Sequence, residues 1–261
     1  MKFLTVIFIF IVNTCVAQQW QADVMVGASG YSGDLSNSGF DFKTMGPAVN
    51  INLKYLMANN FIVLRGGISY GKIQGNDANS KNDDLRRRNL NFKSDILEAT
   101  LCAEINLLDP EEYDGYPYLF AGFGVFHFNP YTYDHNNNKT YLQPLGTEGQ
   151  GLAQYPNRAL YSLTKMVLPF GLGWKFKIND RYDLVYELGF RYTGTDYLDD
   201  VSSTYANSQT LLTYRGSIAA ELAYRYKNTT PTKGGGIRGN SEAKDWYYMT
   251  GLKIVIKLGE Q

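Results

Sequence analysis

The stretch Val49-Asn50-Ile51-Asn52-Leu53-Lys54-Tyr55 alternates strictly, with apolar or aromatic residues at odd positions and polar residues at even positions. Successive side chains of a β-strand point to opposite faces, so this pattern is typical of a strand with one apolar and one polar face. The same two-faced pattern recurs, strictly or in weaker form, in seven further segments: 20–31, 61–72, 97–105, 116–128, 165–177, 182–192 and 246–258. The sequence therefore predicts eight strands.

The lengths of these segments and of their connections favour a membrane barrel over a soluble β-sandwich. Strands of soluble proteins average about five or six residues, whereas a bilayer-spanning strand needs about 9–11, close to the segments seen here. Short connections such as 58–60 and 178–181 alternate with long ones such as 129–164 and 195–245. Outer-membrane barrels have short periplasmic turns and longer extracellular loops. We predict an all-β fold, an eight-stranded antiparallel transmembrane β-barrel, with a short helix over 215–226 in the last loop.

The N-terminus has the organisation of a secretory signal peptide. A positive residue, Lys2, precedes an apolar run over 3–12, and small residues stand just before Gln18. The apolar run is too short to cross a bilayer as a helix. We therefore expect a signal peptide at 1–17 and the barrel domain at 18–261, with export to the bacterial outer membrane.

Composition limits the classes of partner and site. Lys and Arg number 25, as do Asp and Glu, so the net charge of zero gives no support for a nucleic-acid partner. Tyrosine is abundant, at 21 residues, which suits membrane interfaces. Lipidation of Cys15 is a less favoured alternative to signal cleavage. After cleavage only Cys102 remains, so neither an intramolecular disulfide nor a cysteine-based metal site is expected.

Histidine is too scarce for an evident catalytic device. The chain has two histidines, His127 and His135, and no nucleophile motif accompanies either. The alternation of 116–128 predicts that Tyr118, Phe120, Phe126 and Phe128 face outward, which places His127 inside the barrel as a hydrogen-bonded residue. We expect no enzymatic activity, no cofactor and no metal site.

Charged residues on the inward phase of the strands predict a plugged barrel. An eight-stranded barrel is just wide enough for side chains to fill, and an unpaired ion away from water is costly. Both signs are present in near balance, so we expect an internal salt-bridge network in place of a pore, with a proton or solute path as the alternative. The residues of this network are Arg65, Glu98, Glu104, Lys175, Glu187, Arg191 and Lys253.

Two loops carry clustered charges. The run 74–91 is rich in Asp and Arg, and we interpret it as a solvated loop, with a partner-binding patch as the alternative. Asp196, Tyr197, Asp199 and Asp200 follow a strand end, where the carboxylates are expected to order an extracellular loop through Asx turns. A Ca²⁺ site is the alternative for these carboxylates.

Five segments carry a family resemblance: 117–130, 142–151, 169–173, 195–202 and 238–240. They contain the runs Gln143-Pro144-Leu145-Gly146-Thr147-Glu148-Gly149-Gln150-Gly151 and Asp196-Tyr197-Leu198-Asp199-Asp200-Val201. The chain resembles, over nearly its whole mature length, the PorG family of outer-membrane proteins from the type IX secretion system of Bacteroidota.

The resemblance implies a non-catalytic role in anchoring or assembling a secretion machine. PorG-like proteins are associated with a periplasmic ring of the lipoprotein PorK and of PorN, beneath the outer membrane. The machine exports proteins with a C-terminal signal and in some organisms supports gliding motility. The expected partners are therefore outer-membrane lipids and PorK/PorN-like ring proteins, with no nucleic acid and no small-molecule substrate.

One short turn is the candidate contact with the ring. It comprises Asp109, Glu111, Glu112, Tyr113 and Asp114, on the periplasmic side. The alternatives to the secretion role are a small solute channel, a barrel adhesin with a different partner and a membrane-embedded hydrolase.

Overall fold

The structure, a computed structural model, describes residues 20–36, 44–57, 60–226, 230 and 232–258. These residues contain ten strands and three α-helices. The expected signal peptide lies outside these residues, so it stays a prediction. The strands are β1 (Trp20–Ser32), β2 (Gly46–Leu56), β3 (Ile62–Asn76), β4 (Asn91–Asn106), β5 (Gly115–Phe128), β6 (Tyr131–Tyr133), β7 (Lys139–Tyr141), β8 (Thr164–Lys177), β9 (Tyr182–Tyr192) and β10 (Trp246–Leu258).

The eight long strands close into an antiparallel barrel. Each pairs with the next long strand along the chain. The first strand also pairs with the last, from Trp20 opposite Leu258 to Ser32 opposite Trp246. The predicted eight-stranded fold is confirmed. The two short strands, β6 and β7, form a hairpin beside β4, where Tyr131 lies opposite Lys93.

The outer face of the barrel is a belt of exposed apolar side chains. Val26 is 67% exposed, Met166 66% and Leu101 57%. Exposure of apolar surface to water is unfavourable by about 25 cal/mol per Å². Lipid acyl chains solvate such a surface, as they do in membrane barrels. Further members of the belt are Val24, Ile51, Leu53, Leu64, Ile68, Leu97, Leu119, Leu168, Leu172, Leu252 and Ile254.

The predicted orientation of β5 was wrong. Tyr118, Phe120, Phe126 and Phe128 are buried inside the barrel. His127 points outward, with its Nδ1 atom 3.0 Å from the Thr164 hydroxyl. Both faces of β5 are apolar, so its alternation contains no polar face to mark the lumen. The large aromatic rings lie inside because they fill the upper lumen; Phe126 and Phe128 stack with centroids 5.4 Å apart.

The helices lie in the long loops. They are α1 (Asp83–Arg88), α2 (Ser208–Arg215) and α3 (Ser217–Ala223). The last loop thus holds two short helices where the sequence predicted one over 215–226, because Gly216 has a φ of +89° and interrupts the helical path. None of the helices among the described residues is long and apolar enough to cross a membrane.

The long loops cover the upper end of the barrel, and we call the described parts of 142–163 and 195–245 the cap. Beneath the cap, loop residues and strand residues share one apolar core. Tyr161 stacks on Phe128 of β5, with centroids 6.2 Å apart, and on Tyr197 of the last loop, at 4.6 Å. Leu198, Val201 and Leu222 belong to the same core. This core seals the upper lumen with side chains.

Candidate functional site

A cluster of ion pairs fills the lower lumen, centred on Glu104 of β4. Its Oε1 atom lies 2.9 Å from the Arg65 Nη1 atom and 3.0 Å from the Lys54 Nζ atom. Its Oε2 atom accepts a hydrogen bond of 2.8 Å from Lys175. One carboxylate on β4 thus joins cations from β2, β3 and β8, which are strands from both sides of the barrel.

Glu187 of β9 is the second centre of this lumen ion cluster. It accepts from Arg65 at 2.5 Å and from Lys253 of β10 at 2.7 Å, and the Tyr118 hydroxyl also donates to it. Arg65 therefore bridges Glu104 and Glu187 across the lumen. Its guanidinium also lies over the Phe120 ring, 4.1 Å from the centroid.

The remaining two predicted lumen residues form a smaller cluster nearer the cap. The Arg191 Nε atom lies 3.3 Å from the Glu98 Oε2 atom, and the Tyr247 hydroxyl also donates to Glu98. The Ser69 hydroxyl donates to the other Glu98 oxygen at 3.3 Å. The structure thus places all seven predicted charges inside the barrel, at no more than 6% exposure, in two clusters.

Sequence reasoning left two members out of the lumen ion cluster. The side chains of Asp23 and Lys54 are fully buried and form an ion pair of 2.9 Å. Asn52 donates to Asp23 at 2.6 Å. Lys54 and Asn52 are even positions of the alternating stretch 49–55, so the same alternation that predicted the other charges also marks these residues.

The cap contains a second buried polar cluster, and three of the five family-like segments meet in it. Glu148 accepts from the backbone nitrogens of Ser202 and Ser203, at 2.9 and 3.1 Å, and from the Ser203 hydroxyl at 2.6 Å. The Arg238 Nη1 atom lies 3.1 Å from the same carboxylate. Segments 142–151, 195–202 and 238–240 are therefore one structural unit, which sequence spacing gave no means of predicting.

Asp200 joins the same cluster from a strained backbone position. Its φ is +67°, in the left-handed region that only a few non-glycine residues adopt. The Tyr161 hydroxyl donates to it at 2.7 Å, Thr147 also donates to it, and the Arg238 Nη2 atom lies 3.6 Å away. Burial raises the pKa of Asp200 to about 6, although Arg238 and the hydrogen bonds act in the opposite direction.

Asp199 and Asp245 form a carboxyl pair around Tyr31. The Tyr31 hydroxyl donates to Asp199 at 2.5 Å and lies 3.4 Å from an Asp245 oxygen. Burial is the main cause that raises the pKa of both carboxyls well above their usual range; nearby carboxylates add to it, Asp34 for Asp199 and Asp199 for Asp245. Such a pair holds a proton where an isolated aspartate would be ionised.

The four residues of the predicted extracellular loop motif, Asp196, Tyr197, Asp199 and Asp200, all lie in the cap. Asp199 accepts from the Val201 backbone nitrogen at 2.9 Å, which is an Asx-type turn. Tyr197 packs on Tyr161, and burial raises the pKa of Asp196 to about 6. Across the described ranges, no three His, Cys, Asp or Glu side chains are grouped as metal ligands.

The interpretation of 74–91 as a solvated loop was wrong for two residues. Asp77 and Arg88 are buried, at 1% and 4% exposure, and their side chains pair at 2.7 Å. Arg88 also donates to the backbone oxygens of Asp34, at 3.0 Å, and Arg238. Arg86 and Arg87 remain exposed. The middle of the charge run thus faces solvent, while its edges attach α1 to the cap.

The candidate periplasmic turn lies at the opposite end from the cap. Glu111, Glu112, Tyr113 and Asp114 are exposed and Asp109 is partly buried. The Glu111 backbone nitrogen donates to the Asp109 carboxylate at 2.9 Å, and Asn60 of the neighbouring turn donates to Glu111 at 2.8 Å. The turn therefore presents an ordered acidic surface, separate from the lumen ion cluster.

Comparison with solved structures returns outer-membrane proteins at low similarity. Neisserial surface protein A is 11% identical, with a TM-score of 0.45, and the match covers 91% of this chain and 96% of that one. OprG from Pseudomonas aeruginosa is 11% identical, with a TM-score of 0.40, covering 92% of this chain and 97% of that one. No curated protein matches the sequence. The match that identifies the chain spans residues 1–236, and by it the chain belongs to the family described as a domain of unknown function, DUF6089.

Proposed function

We propose that this protein is a non-catalytic barrel of the bacterial outer membrane that anchors or assembles the periplasmic ring of the type IX secretion machinery. The observation that carries the proposal is the convergence of segments 142–151, 195–202 and 238–240, which underlie the PorG resemblance. They are far apart in sequence, yet Arg238 joins Glu148 to Asp200 inside one cap. Three of the five segments that resemble the PorG family thus form one tertiary unit, and this supports membership of the PorG group.

Membrane residence is supported by the exterior of the barrel. The exposed belt is aliphatic over its middle, and aromatic rings flank it at both ends: Trp20 packs edge-on against Tyr55 at the lower end, and Tyr192 packs against Trp246 at the upper end. Outer-membrane barrels carry such aromatic girdles at both interfaces. Export by the predicted signal peptide is consistent with this location.

A structural role is supported by the contents of the lumen. The charges there are engaged with one another, and the apolar core of the cap closes the upper end. A lumen filled in this way suits a plug and leaves little room for a solute path. Planar-bilayer recording tests this against the small-channel alternative: steady conductance of hundreds of picosiemens would contradict the plug.

The absence of catalysis is part of the proposal. Neither histidine lies in the lumen. His127 faces outward, and His135, in the turn between β6 and β7, pairs with Glu221 of the cap, with its Nδ1 atom 2.6 Å from the carboxylate. Lipid hydrolysis by the purified barrel in vesicles would contradict this part of the proposal.

Contact with the ring is assigned to the turn 109–114. Its carboxylates form an acidic surface on the periplasmic side, which fits a basic surface of a ring protein. The test is in-cell photocrosslinking from Tyr113, which is 44% exposed, with Tyr214 of the cap, 59% exposed, as the matched control on the extracellular side. We expect PorK/PorN-like proteins to be captured from position 113 and not from 214.

Two outcomes together would overturn the secretion role. The first is failure to capture ring proteins from position 113 or from the other short turns, including 58–60 and 178–181. The second is normal export of proteins with the C-terminal signal in a strain that lacks the gene. A barrel adhesin would instead be supported by capture of a surface partner from position 214.

A further inference from the structure

Strands β3 and β4 extend beyond their pairings with the neighbouring strands β2 and β5. The pairing of β2 with β3 ends at Ala48 opposite Gly71, and that of β5 with β4 ends at Phe128 opposite Ile96. Above these points 72–76 and 91–95 pair with each other as far as Asn76 opposite Asn91. At about 3.4 Å per residue, this β3–β4 arm runs about 17 Å along the strand direction beyond those pairings.

The two faces of the arm are chemically different. Its inner face packs on the core beneath the cap, since Ile73, Phe92 and Ser94 are at most 1% exposed. Its outer face carries Lys72 and Lys93 and continues the lipid-facing phase of the strands below. The arm therefore shows cations on the side where the wall beneath it shows aliphatic side chains.

The neighbouring β6–β7 hairpin adds a third lysine and a group of aromatic rings. The Lys139 Nζ atom lies 3.9 Å from the centroid of Tyr131 and 4.9 Å from that of Tyr141. The Lys93 Nζ atom lies 5.9 Å from the centroid of Tyr133. Tyr133 and Tyr141 are 40% and 43% exposed. Lysines held over partly exposed tyrosine rings form a positively charged, amphipathic surface.

One carboxylate, Asp95, faces this group, and it is already engaged. It accepts from the Tyr70 hydroxyl at 2.7 Å and lies 3.5 Å from the Lys72 Nζ atom. Over the ranges the structure covers, Lys93 and Lys139 form no ion pair with a carboxylate. The outer face thus has three lysines against one aspartate, and the surplus positive charge lies at the upper edge of the apolar belt.

The upper ends of four other strands, β5, β8, β9 and β10, differ in chemistry from the arm. On the outer surface at the tops of β9 and β10 stand Tyr192 and Trp246, and at those of β5 and β8 stand His127 and Thr164. These are aromatic or weakly polar groups. A general preference of lysine for the membrane interface would place lysines all around the barrel. Because these lysines lie in one sector, they indicate a ligand that binds there.

We propose that the outer face of the β3–β4 arm, together with the β6–β7 hairpin, binds the phosphate groups of phosphorylated glycolipid in the outer leaflet of the membrane. The inference rests on the proposed location in the outer membrane. Lys72, Lys93 and Lys139 contact the phosphates, since ammonium groups at a membrane surface attract anionic headgroups. The exposed tyrosines lie at the depth of the sugars, and Ile68 and Leu97 below them contact the acyl chains.

The test measures binding of the full chain in phosphatidylcholine nanodiscs to fluorescent bisphosphorylated lipid A and to the same lipid after dephosphorylation. We expect the phosphorylated lipid to bind at least about tenfold more tightly. The variant K72Q/K93Q/K139Q should lose this preference. The control K177Q/K244Q removes two exposed lysines elsewhere and should keep it. Circular dichroism and the heat-dependent gel shift of barrels check that each variant is folded.

Equal affinity of the native protein for both lipids, or a preference kept by the triple variant, would overturn the proposal. Competition by millimolar inorganic phosphate as strong as that by the lipid would also overturn it, because the ligand would then be the free anion. Crosslinking from position 113 in the triple variant separates this proposal from the ring-binding proposal, since loss of lipid preference should leave capture of the ring unchanged.

Discussion

The lumen and the cap are both buried and polar, but their charges are balanced differently. In the lumen, the basic residues Lys54, Arg65, Lys175, Arg191 and Lys253 face the acidic residues Asp23, Glu98, Glu104 and Glu187. In the cap and the adjoining loop, Arg88 and Arg238 face a larger set of buried carboxyls, namely Asp77, Glu148, Asp196, Asp199, Asp200 and Asp245. Ion pairs therefore neutralise the charges of the lumen, whereas in the cap part of the negative charge is neutralised by protons bound to carboxyl groups. The membrane-embedded half should be insensitive to external pH, and the half exposed to the medium should respond to it.

The largest effect is expected from Glu104→Gln. This substitution takes the shared carboxylate away from Lys54, Arg65 and Lys175 and leaves three buried cations underpaired. Breaking a buried pair costs about 3–5 kcal/mol. The midpoint of urea unfolding in lipid should fall accordingly, while Glu111→Gln in the exposed turn should leave it unchanged. An unaltered midpoint in Glu104→Gln would mean that water enters the lumen and replaces the pairing.

Arg238→Met should act on the cap alone. It removes the cation that lies between Glu148 and Asp200 and should cost about 3 kcal/mol of cap stability. Hydrogen exchange in 146–151 and 195–203 should accelerate, with no change in the strands. Arg87→Met, at an exposed position of α1, serves as the control. Equal acceleration in the strands would show that cap and barrel unfold as one unit and would remove the contrast between them.

The pH dependence is the next effect in size. The pKa values of Asp196 and Asp200 are raised to about 6 from the ordinary 3.8. The folded cap therefore binds more protons than the unfolded cap between these values, and its stability falls as the pH rises from about 4 to about 6. For these two groups the loss is complete above about pH 6 and absent below about pH 4. Asp199 and Asp245, whose pKa values are raised well above the ordinary 3.8, continue the fall in stability at higher pH. Exchange in 195–203, corrected for its intrinsic pH dependence, should accelerate by more than about tenfold, because each pKa unit corresponds to a factor of about ten.

Asp200→Asn sharpens the pH test. The amide keeps the size of the side chain but cannot lose a proton, so the pH dependence of cap exchange should become weaker. Asp196, Asp199 and Asp245 still titrate and keep their share of it. The strand amides should show no corresponding change in either protein. Constant protection of 195–203 from pH about 4 to about 7 in the native protein would contradict the proton requirement of the cap.

The smallest effect is expected from Lys54→Met. Glu104 keeps Arg65 and Lys175, whereas Asp23 loses its ion pair and keeps only its hydrogen bond from Asn52. The loss should therefore be about 2 kcal/mol, smaller than that of Glu104→Gln. The urea midpoint in lipid is again the measurement. A loss as large as that of Glu104→Gln would show that the lumen ion cluster has no redundancy around its central carboxylate.

The barrel was predictable because its order is periodic. Alternation in 49–55 and its counterparts sets both the number of strands and the face on which Glu104 or Lys175 stands. The same signal failed in β5, whose two faces are both apolar, and there His127 was placed on the wrong side. The cap has no period. Its contacts, such as Arg238 with Glu148 and Arg88 with Asp77, join loops through single side chains, and no local pattern in the sequence marks them.

The pairing of Trp20 with Leu258 has a consequence for how the protein reaches its native state. Among the eight long strands, every other neighbouring pair is consecutive along the chain, but the pairing of β1 with β10 joins the two ends of the described chain. Contacts of such high sequence separation form late and slowly. Until this pairing forms, two strands expose unpaired edges that can add to other chains. Biogenesis should therefore require protection of those edges until the last strand arrives.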